Sequence, residues 1–408
     1  MQPSGSSKVA HSLARGRPSP RLLHFFVLAT LCIFATACAR PATQATAPPT
    51  LTEGTPEAVG LDPTRLDAAV DLYRDAVAAD ELRGAVLLIA RRGQVVLVEP
   101  LGWSDREEEL PMEASTLFRM ASNTKPVVAM AALILEQEGR LSVDDPVSRF
   151  IPEFAEGEMA TITVHHLMTH TSGLPRSPIF LPDTEEGTDL LREAQRFARE
   201  LTLDRAPGTG YGYSNAGYNT LGAVIEVASG QPLEDFIRER IYEPLGMDDS
   251  NNYEATADQS RMSKVYRWNQ DEGVWRIGWT PGDGPDFPIV RASGGMISTA
   301  WDYAVFLQTW LNGGVHGDVR LLSEEAVARA VSPLTRGLDA DDGQDDEGGY
   351  GYGWQVFANG GYGHGGSDGT HAWVDPELEL IGIVFTQSPG GSNPRDDFVE
   401  GIRAAVVD

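Results

Sequence analysis

Lysine is nearly absent from this 408-residue chain: Lys8, Lys125 and Lys264 are the only three. Arginine carries almost all the positive charge, and there is little of it. Lys and Arg together number 32 against 59 Asp and Glu, for a formal net charge of -27 at pH 7. Such a chain repels phosphates, which argues against nucleic-acid binding, and gains nothing from an anionic lipid surface. Its acidity reads as a solvated surface. Internal repeats, phosphate loops and dinucleotide fingerprints are also missing. Hydrophobic residues make up 41%, enough for at least one large core, and length by itself allows two or three domains.

The first forty residues read as a targeting segment. Lys8, Arg15, Arg17 and Arg21 form a basic region, residues 22–35 are almost wholly apolar, and Ala35-Thr36-Ala37 supplies a small-x-small cleavage pattern. The apolar run is short for a membrane span. Residues 1–37 are therefore expected to be a signal peptide, and the protein to be exported to the periplasm or held as a membrane-anchored lipoprotein. Cys38 follows directly. Ala35-Thr36-Ala37-Cys38 resembles a bacterial lipobox, with Ala35 where that pattern prefers Leu. Lipidation of Cys38 and plain secretion both stay open. Cys32 lies in the run that cleavage discards, so one cysteine is left. No intramolecular disulfide can form, and the fold must stand on packing.

Residues 38–59, rich in Pro, Thr and Ala, are expected to be a flexible linker. Structure is expected to begin at Asp62-Pro63, an N-cap followed by Pro at the first helical position. Leu66, Val70, Tyr73 and Val77 then give one buried helical face. Residues 84–90 and 94–99 are β-rich and joined by Arg91-Arg92-Gly93, a hairpin pattern. Residues 127–135 are apolar on every side, as in a helix buried all round, and Gly139 ends it. Residues 140–310 look mostly helical and loop-like. The β pattern returns after Tyr350, with strands over 354–357, 370–374 and 380–386, and an amphipathic helix over 394–407 closes the chain. Strands near both ends with helices between predict an α/β (α+β) domain over 60–408. Its sheet part is expected at about 60–118 and 345–408, and its helical part at about 119–344. The acidic stretch 339–347 places Gly343 fifth from Asp339, where a calcium loop needs Gly sixth, so it reads as a solvated loop.

Lys125 is the residue that asks for a chemical reason. It sits three positions after Ser122, at the head of the apolar helix. Arginine cannot shed its proton in a protein, whereas a desolvated lysine can. At i and i+3 the two side chains point the same way, so the amine can reach the hydroxyl. Ser122 would lie at the helix N-terminus, where free N–H groups favour negative charge. A serine beside a base is the general device for acyl transfer. S-x-x-K alone is a weak signal.

Two further segments add to it. Tyr211-Gly212-Tyr213-Ser214-Asn215 is dense in hydroxyls and amide, and Gly361-Tyr362-Gly363-His364-Gly365-Gly366-Ser367 is a Gly-rich strand entry that lets a backbone approach a ligand. With these three segments the chain resembles the β-lactamase-related serine hydrolases: class C β-lactamases, D-alanyl-D-alanine peptidases and esterases of the same fold. Ser122-Asn123-Thr124-Lys125 matches the first family motif, Tyr213-Ser214-Asn215 the second and His364-Gly365-Gly366 the third. Residues 166–174 and 292–299 look familiar too, and the resemblance spans residues 60–405.

The resemblance implies a β-lactamase/transpeptidase-like fold, with an antiparallel sheet from both chain ends, flanking helices and a large helical insertion. It also implies an acyl-enzyme mechanism without a cofactor or metal, acting on a small ester, peptide or β-lactam. Ser122 attacks the carbonyl, and Lys125, Tyr213 or the pair sharing a proton is the base. A free Tyr titrates near about 10, so Lys125 and His364 would have to lower it. The N–H groups of Ser122 and Ser367, with Gly365 and Gly366 beside them, would hold the oxyanion, and Asn215 would orient Lys125 or the substrate amide. His364 departs from the lysine of most β-lactamases. With a pKa near about 6.5 it is mostly neutral at pH 7, which counts against β-lactams and leaves esters or D-amino-acid peptides. A carboxylesterase-like activity is the expectation, with a D-alanyl or D-amino-acid peptidase or weak β-lactamase as the alternative. A non-catalytic binding or sensor protein on the same scaffold is a further one.

Gly365-Gly366-Ser367-Asp368-Gly369 also fits G-x-S-x-G, but a strand rather than a helix is expected after it, and the only later His is His371. His166 and His170 stand four apart, but Leu167 occupies the position where a zinc peptidase carries Glu. His165, His166 and His170 are expected to be structural.

Overall fold

A computed structural model describes residues 50–182, 184, 188–253, 256–284, 287, 289–340 and 348–407. The expected signal peptide over 1–37, Cys38 and residues 341–347 of the acidic stretch lie outside them. Structure starts earlier than the composition suggests. Thr52–Glu53 (β1) pairs in parallel with the strand at residues 94–105, and Glu57–Val59 forms a 3-10 turn. The expected linker over 38–59 is thus corrected over 52–59: two polar residues carry no apolar signal, but the ladder needs only their backbone.

Asp62 caps helix α1, Pro63–Ala78, by accepting from the N–H groups of Thr64 and Arg65, with Pro63 at the first position. Gly84–Arg91 (β2) and Gln94–Asp105 (β3) form the expected hairpin. Arg92 and Gly93 turn it with φ of 52° and 76°, the double left-handed turn that suits strand twist. Thr124–Gln137 is the buried helix, α2, and every side chain from Thr124 to Leu135 is buried. Helix α3 is Asn215–Ser229.

Within the segment expected to be helices and loops stands a β-hairpin, Val265–Asn269 (β4) and Val274–Trp279 (β5). Its arginines and exposed Val274 and Ile277 mask a β pattern that is buried at only a few positions. Helix α4 is Ala300–Leu311. Then come Gly349–Tyr350 (β6), Gln355–Val356 (β7), Tyr362–Gly365 (β8), Thr370–Asp375 (β9), Leu380–Phe385 (β10) and helix α5, Arg395–Ala404.

The main sheet runs β1-β3-β2-β10-β9-β8-β7-β6, with Leu110–Pro111 as a ninth strand on β3. Both chain ends meet where β2 pairs antiparallel with β10. Burial is complete along β2, so its side chains divide by alternation. Leu87 and Ile89 join Leu66, Val70, Tyr73, Trp373 and Phe398 beneath the terminal helices. Val86, Leu88 and Ala90 join α2, α3 and α4 in the larger core. Trp373 lies flat over Gly382 on the adjacent strand, and a Cβ at Gly382 would collide with its indole ring. Gly382→Ala is therefore expected to destabilise by about 1–3 kcal/mol, an overpacking cost readable as a lower denaturant midpoint at unchanged m-value.

Candidate active site

The nucleophile turn is strained and tightly tied. Ala121–Asn123 forms a 3-10 turn that runs straight into α2, and Ala121 has a φ of 45°, a region non-glycine residues avoid. Thr124 Oγ1 donates to the Ala121 carbonyl at 2.7 Å and accepts from Met296 N–H at 2.9 Å. Asn123 Nδ2 donates to Thr370 Oγ1 at 2.9 Å, and that hydroxyl donates to the Met120 carbonyl at 3.0 Å. Thr370 begins β9, so the turn is stitched to the sheet.

Three expected side chains converge on Ser122. Lys125 Nζ lies 3.1 Å from Ser122 Oγ, 3.1 Å from Asn215 Oδ1 and 2.7 Å from the Ser293 carbonyl. Tyr213 donates its hydroxyl to Ser122 Oγ at 2.8 Å. Lys125 is wholly buried. Burial, and then the Arg291 and Arg176 guanidinium charges, hold its amine well below the ordinary ammonium range. A neutral amine has two N–H bonds and one lone pair. The two carbonyl oxygens, of Asn215 and Ser293, can only accept, so they take the two hydrogens. The lone pair is left facing the Ser122 hydroxyl. Asn215 starts α3 behind the Ser214 cap, whose side chain accepts from Gly217 N–H, and this fixes the amide that orients Lys125.

Tyr213 and His364 differ from expectation. Burial pushes the Tyr213 phenol up to about 12, outweighing its hydrogen bond to Ser122 and the Arg176 charge. His364 does not lower it. The imidazole Nε2 pairs with Tyr350 Oη at 3.0 Å, and its Nδ1 lies 2.8 Å from the Gly365 carbonyl. That carbonyl only accepts, so Nδ1 carries the hydrogen and Tyr350 donates to Nε2. Burial, reinforced by Lys125, pulls His364 down to about 3. It is a neutral wall of the site, 6.4 Å ring to ring from Tyr213. The acid side of the pH–rate profile is therefore expected to follow Lys125, activity falling as the amine takes up its proton. His364→Gln should leave that limb where it is, as kcat/KM against pH will show.

These groups open onto a cavity of about 600 Å3 lined by Ser122, Tyr213, Asn215, His364, Gly365 and Ser367. Gly366 does not line it: it packs against the nucleophile turn, and a Cβ there would strike the Met120 carbonyl and Thr370 Oγ1. Its part is to let the β8 backbone approach. After β8 comes a tight turn and then strand β9, not a helix, so Ser367 is no nucleophile elbow. Ser367 lies at the rim beside Gly365.

Several contributors carried no sequence signal. The Ser293 carbonyl is backbone, so residue type says nothing of it. Arg176, Arg291 and Arg395 line the cavity from three distant segments. His170 was expected to be structural, and it is, but at close range. Its buried ring lies 4.2 Å from the Tyr213 ring, and its Nδ1 accepts from Ser214 N–H at 3.0 Å. His166 completes a capping box with Thr163, and His165 Nδ1 pairs with Tyr352 Oη at 2.9 Å. Tyr213→Phe removes one hydrogen bond to Oγ while the His170 stack keeps the ring in place, and is expected to lower kcat about 10²-fold. Steady-state kinetics on a nitrophenyl ester will check it.

Among known proteins, the chain is similar to Esterase EstB of Burkholderia gladioli, 37% identical over 261 residues. That match covers 60% of this chain and 64% of the esterase, less than two thirds of its length. Among solved structures it is similar to EstCE1, a hydrolase with promiscuous acyltransferase activity, at 25% identity and a TM-score of 0.69, covering 85% of this chain and 99% of that one. The octameric penicillin-binding protein homologue from Pyrococcus abyssi is 28% identical with a TM-score of 0.68, covering 82% of this chain and 75% of that one. Residues 69–405, nearly the whole described domain, match the Beta-lactamase family, and the chain belongs to that family of serine hydrolases.

Proposed function

We propose that the protein is an exported, carboxylesterase-like hydrolase that works through an acyl-enzyme on Ser122. The observation that carries this is the position of Ser122 Oγ, 3.1 Å from a desolvated amine and 2.8 Å from a phenol. In this reading Ser122 Oγ attacks an ester carbonyl while its proton passes to the lone pair of Lys125. The oxyanion forms against the Ser122 and Ser367 N–H groups, each donor being worth about 3–4 kcal/mol in such sites. The leaving alkoxide takes a proton from Tyr213, which Lys125 replaces. Water then enters, gives a proton to Lys125 and attacks the acyl carbon, and Ser122 leaves with a proton restored. The depressed amine makes Lys125 the base, because a phenol at about 12 is too rarely ionised. Export rests on the basic, apolar and small-residue order of the leader.

A second reading, a D-amino-acid peptidase or weak β-lactamase, draws on Arg176, Arg291 and Arg395, which supply positive charge to the cavity that neutral His364 does not. Purified protein given p-nitrophenyl butyrate, nitrocefin and a D-Ala-D-Ala peptide will separate the two. Ester turnover with a butyryl adduct on Ser122 by mass spectrometry is expected. Peptide or nitrocefin turnover exceeding that of the ester would replace the first reading by the second.

A further inference from the structure

Asp368 follows Ser367 directly and is buried, 4% exposed. Both of its oxygens meet arginines. Oδ1 accepts from Arg267 Nη2 at 2.8 Å, and Oδ2 lies 3.5 Å from Arg119 Nε. Arg119 stands three residues ahead of Ser122, in Phe118–Arg119, the strand that leads into the nucleophile turn. Arg267 comes from β4, and the same hairpin supplies Trp279, whose ring lies 4.9 Å beneath the Arg119 guanidinium. The backbones are tied as well. Gln387 Nε2 donates to the Asp368 carbonyl at 3.1 Å and to the Arg119 carbonyl at 3.2 Å, and its Oε1 accepts from Arg119 N–H at 3.2 Å. Gln387 is wholly buried with a φ of 47°, a strained backbone held in place by that use of its amide.

These contacts join two segments distant in sequence, 119–122 and 367–370, each carrying one N–H of the oxyanion pair. Their separation fixes how well a tetrahedral oxygen fits. We propose that Asp368 is a positioning residue: gripped by Arg119 and Arg267, it holds the Ser367 N–H at its working distance from the Ser122 N–H. The proposal rests on the reading of those two amides as the oxyanion donors. It gives the β4–β5 hairpin a purpose in catalysis although none of its residues lines the cavity. A misplaced donor weakens binding of the transition state more than binding of the substrate, so the loss belongs in kcat.

The test compares wild type, Asp368→Asn, Arg267→Gln and the double variant on p-nitrophenyl butyrate, with the affinity for butylboronic acid, which forms a tetrahedral adduct on the serine, measured alongside. Asp368→Asn is expected to lower kcat about tenfold at nearly constant KM, and to weaken boronate binding by a similar factor. Arg267 is half exposed, so Arg267→Gln should fold normally and show a smaller loss of the same kind. The double variant should match Asp368→Asn alone, since Arg267 acts through Asp368 and its loss adds nothing once that carboxylate is gone. Unchanged kcat and boronate affinity in Asp368→Asn would overturn the proposal by itself. If Asp368→Asn fails to fold, an unaltered Arg267→Gln overturns it. Wild-type protein that neither cleaves the ester nor binds the boronate would overturn the oxyanion reading, and this proposal with it.

Discussion

Ser122→Ala is expected to abolish the acyl adduct and to lower ester kcat by about 10⁴-fold or more. The size follows from how the site is built. The nucleophile turn is strained at Ala121, tied to β9 through Asn123 and Thr370, and aimed at the cavity. Among the described residues, Ser122 bears the serine hydroxyl bonded to both Lys125 and Tyr213. Ser367 lies in the turn after β8, and no contact joins its hydroxyl to Lys125 or Tyr213, whose partners are Ser122, Asn215 and Ser293. Alanine removes the nucleophile and leaves the fold alone, since among the described residues Ser122 Oγ is engaged only with the two groups that activate it. Mass spectrometry after incubation with p-nitrophenyl butyrate, together with a stopped-assay rate, gives the answer. Turnover within tenfold of wild type would end the assignment of Ser122.

Lys125→Arg is expected to lower kcat about 10³-fold or more while preserving charge. The side chain is wholly enclosed, its amine held below its ordinary range by burial and by two nearby arginines. That shift favours its proton-accepting form. A guanidinium has no lone pair to offer at any pH the protein survives, and it is too large for a pocket closed by Asn215, Ser293 and the Tyr213 and Tyr218 rings. A fall in stability is expected alongside. The pH profile distinguishes lost chemistry from lost folding. Residual activity in a folded Lys125→Arg protein should lack the acid limb of the wild type. A wild-type acid limb in that variant would mean that another group is the base.

Much of this was legible in the chain. A lone lysine beside a serine in an arginine-using protein marked the site, because only one of the two cations can act as a base. β2, β9 and β10 were legible because strands buried on both faces need continuous apolar runs. β8 was legible only as a Gly-rich strand entry, and it is Gly366, just past Tyr362-Gly363-His364-Gly365, whose missing side chain lets this segment lie against the nucleophile turn. Thr52–Glu53 and the β4–β5 hairpin were missed because their ladders use backbone while few of their side chains are buried, Val265, Tyr266 and Trp279 in the hairpin and neither residue of β1. His364 was placed correctly in the cavity, but its partner was not foreseen. Tyr350 lies on another strand, and only the folded sheet brings the two together. The Ser293 carbonyl had no signature to find.

Because β2 bonds to β10, one edge of the β2–β3 hairpin stays unpaired until residues 380–385 have been made. The segment bearing Ser122 and Lys125 is finished early, and the one bearing His364 and Ser367 arrives near the end. A nascent or C-terminally clipped polypeptide therefore holds a reactive serine with half of its surroundings, and competence arrives all at once when the closing strands dock. Loss of even the final two strands should leave a chain that neither acylates nor persists, rather than a slow version of the whole.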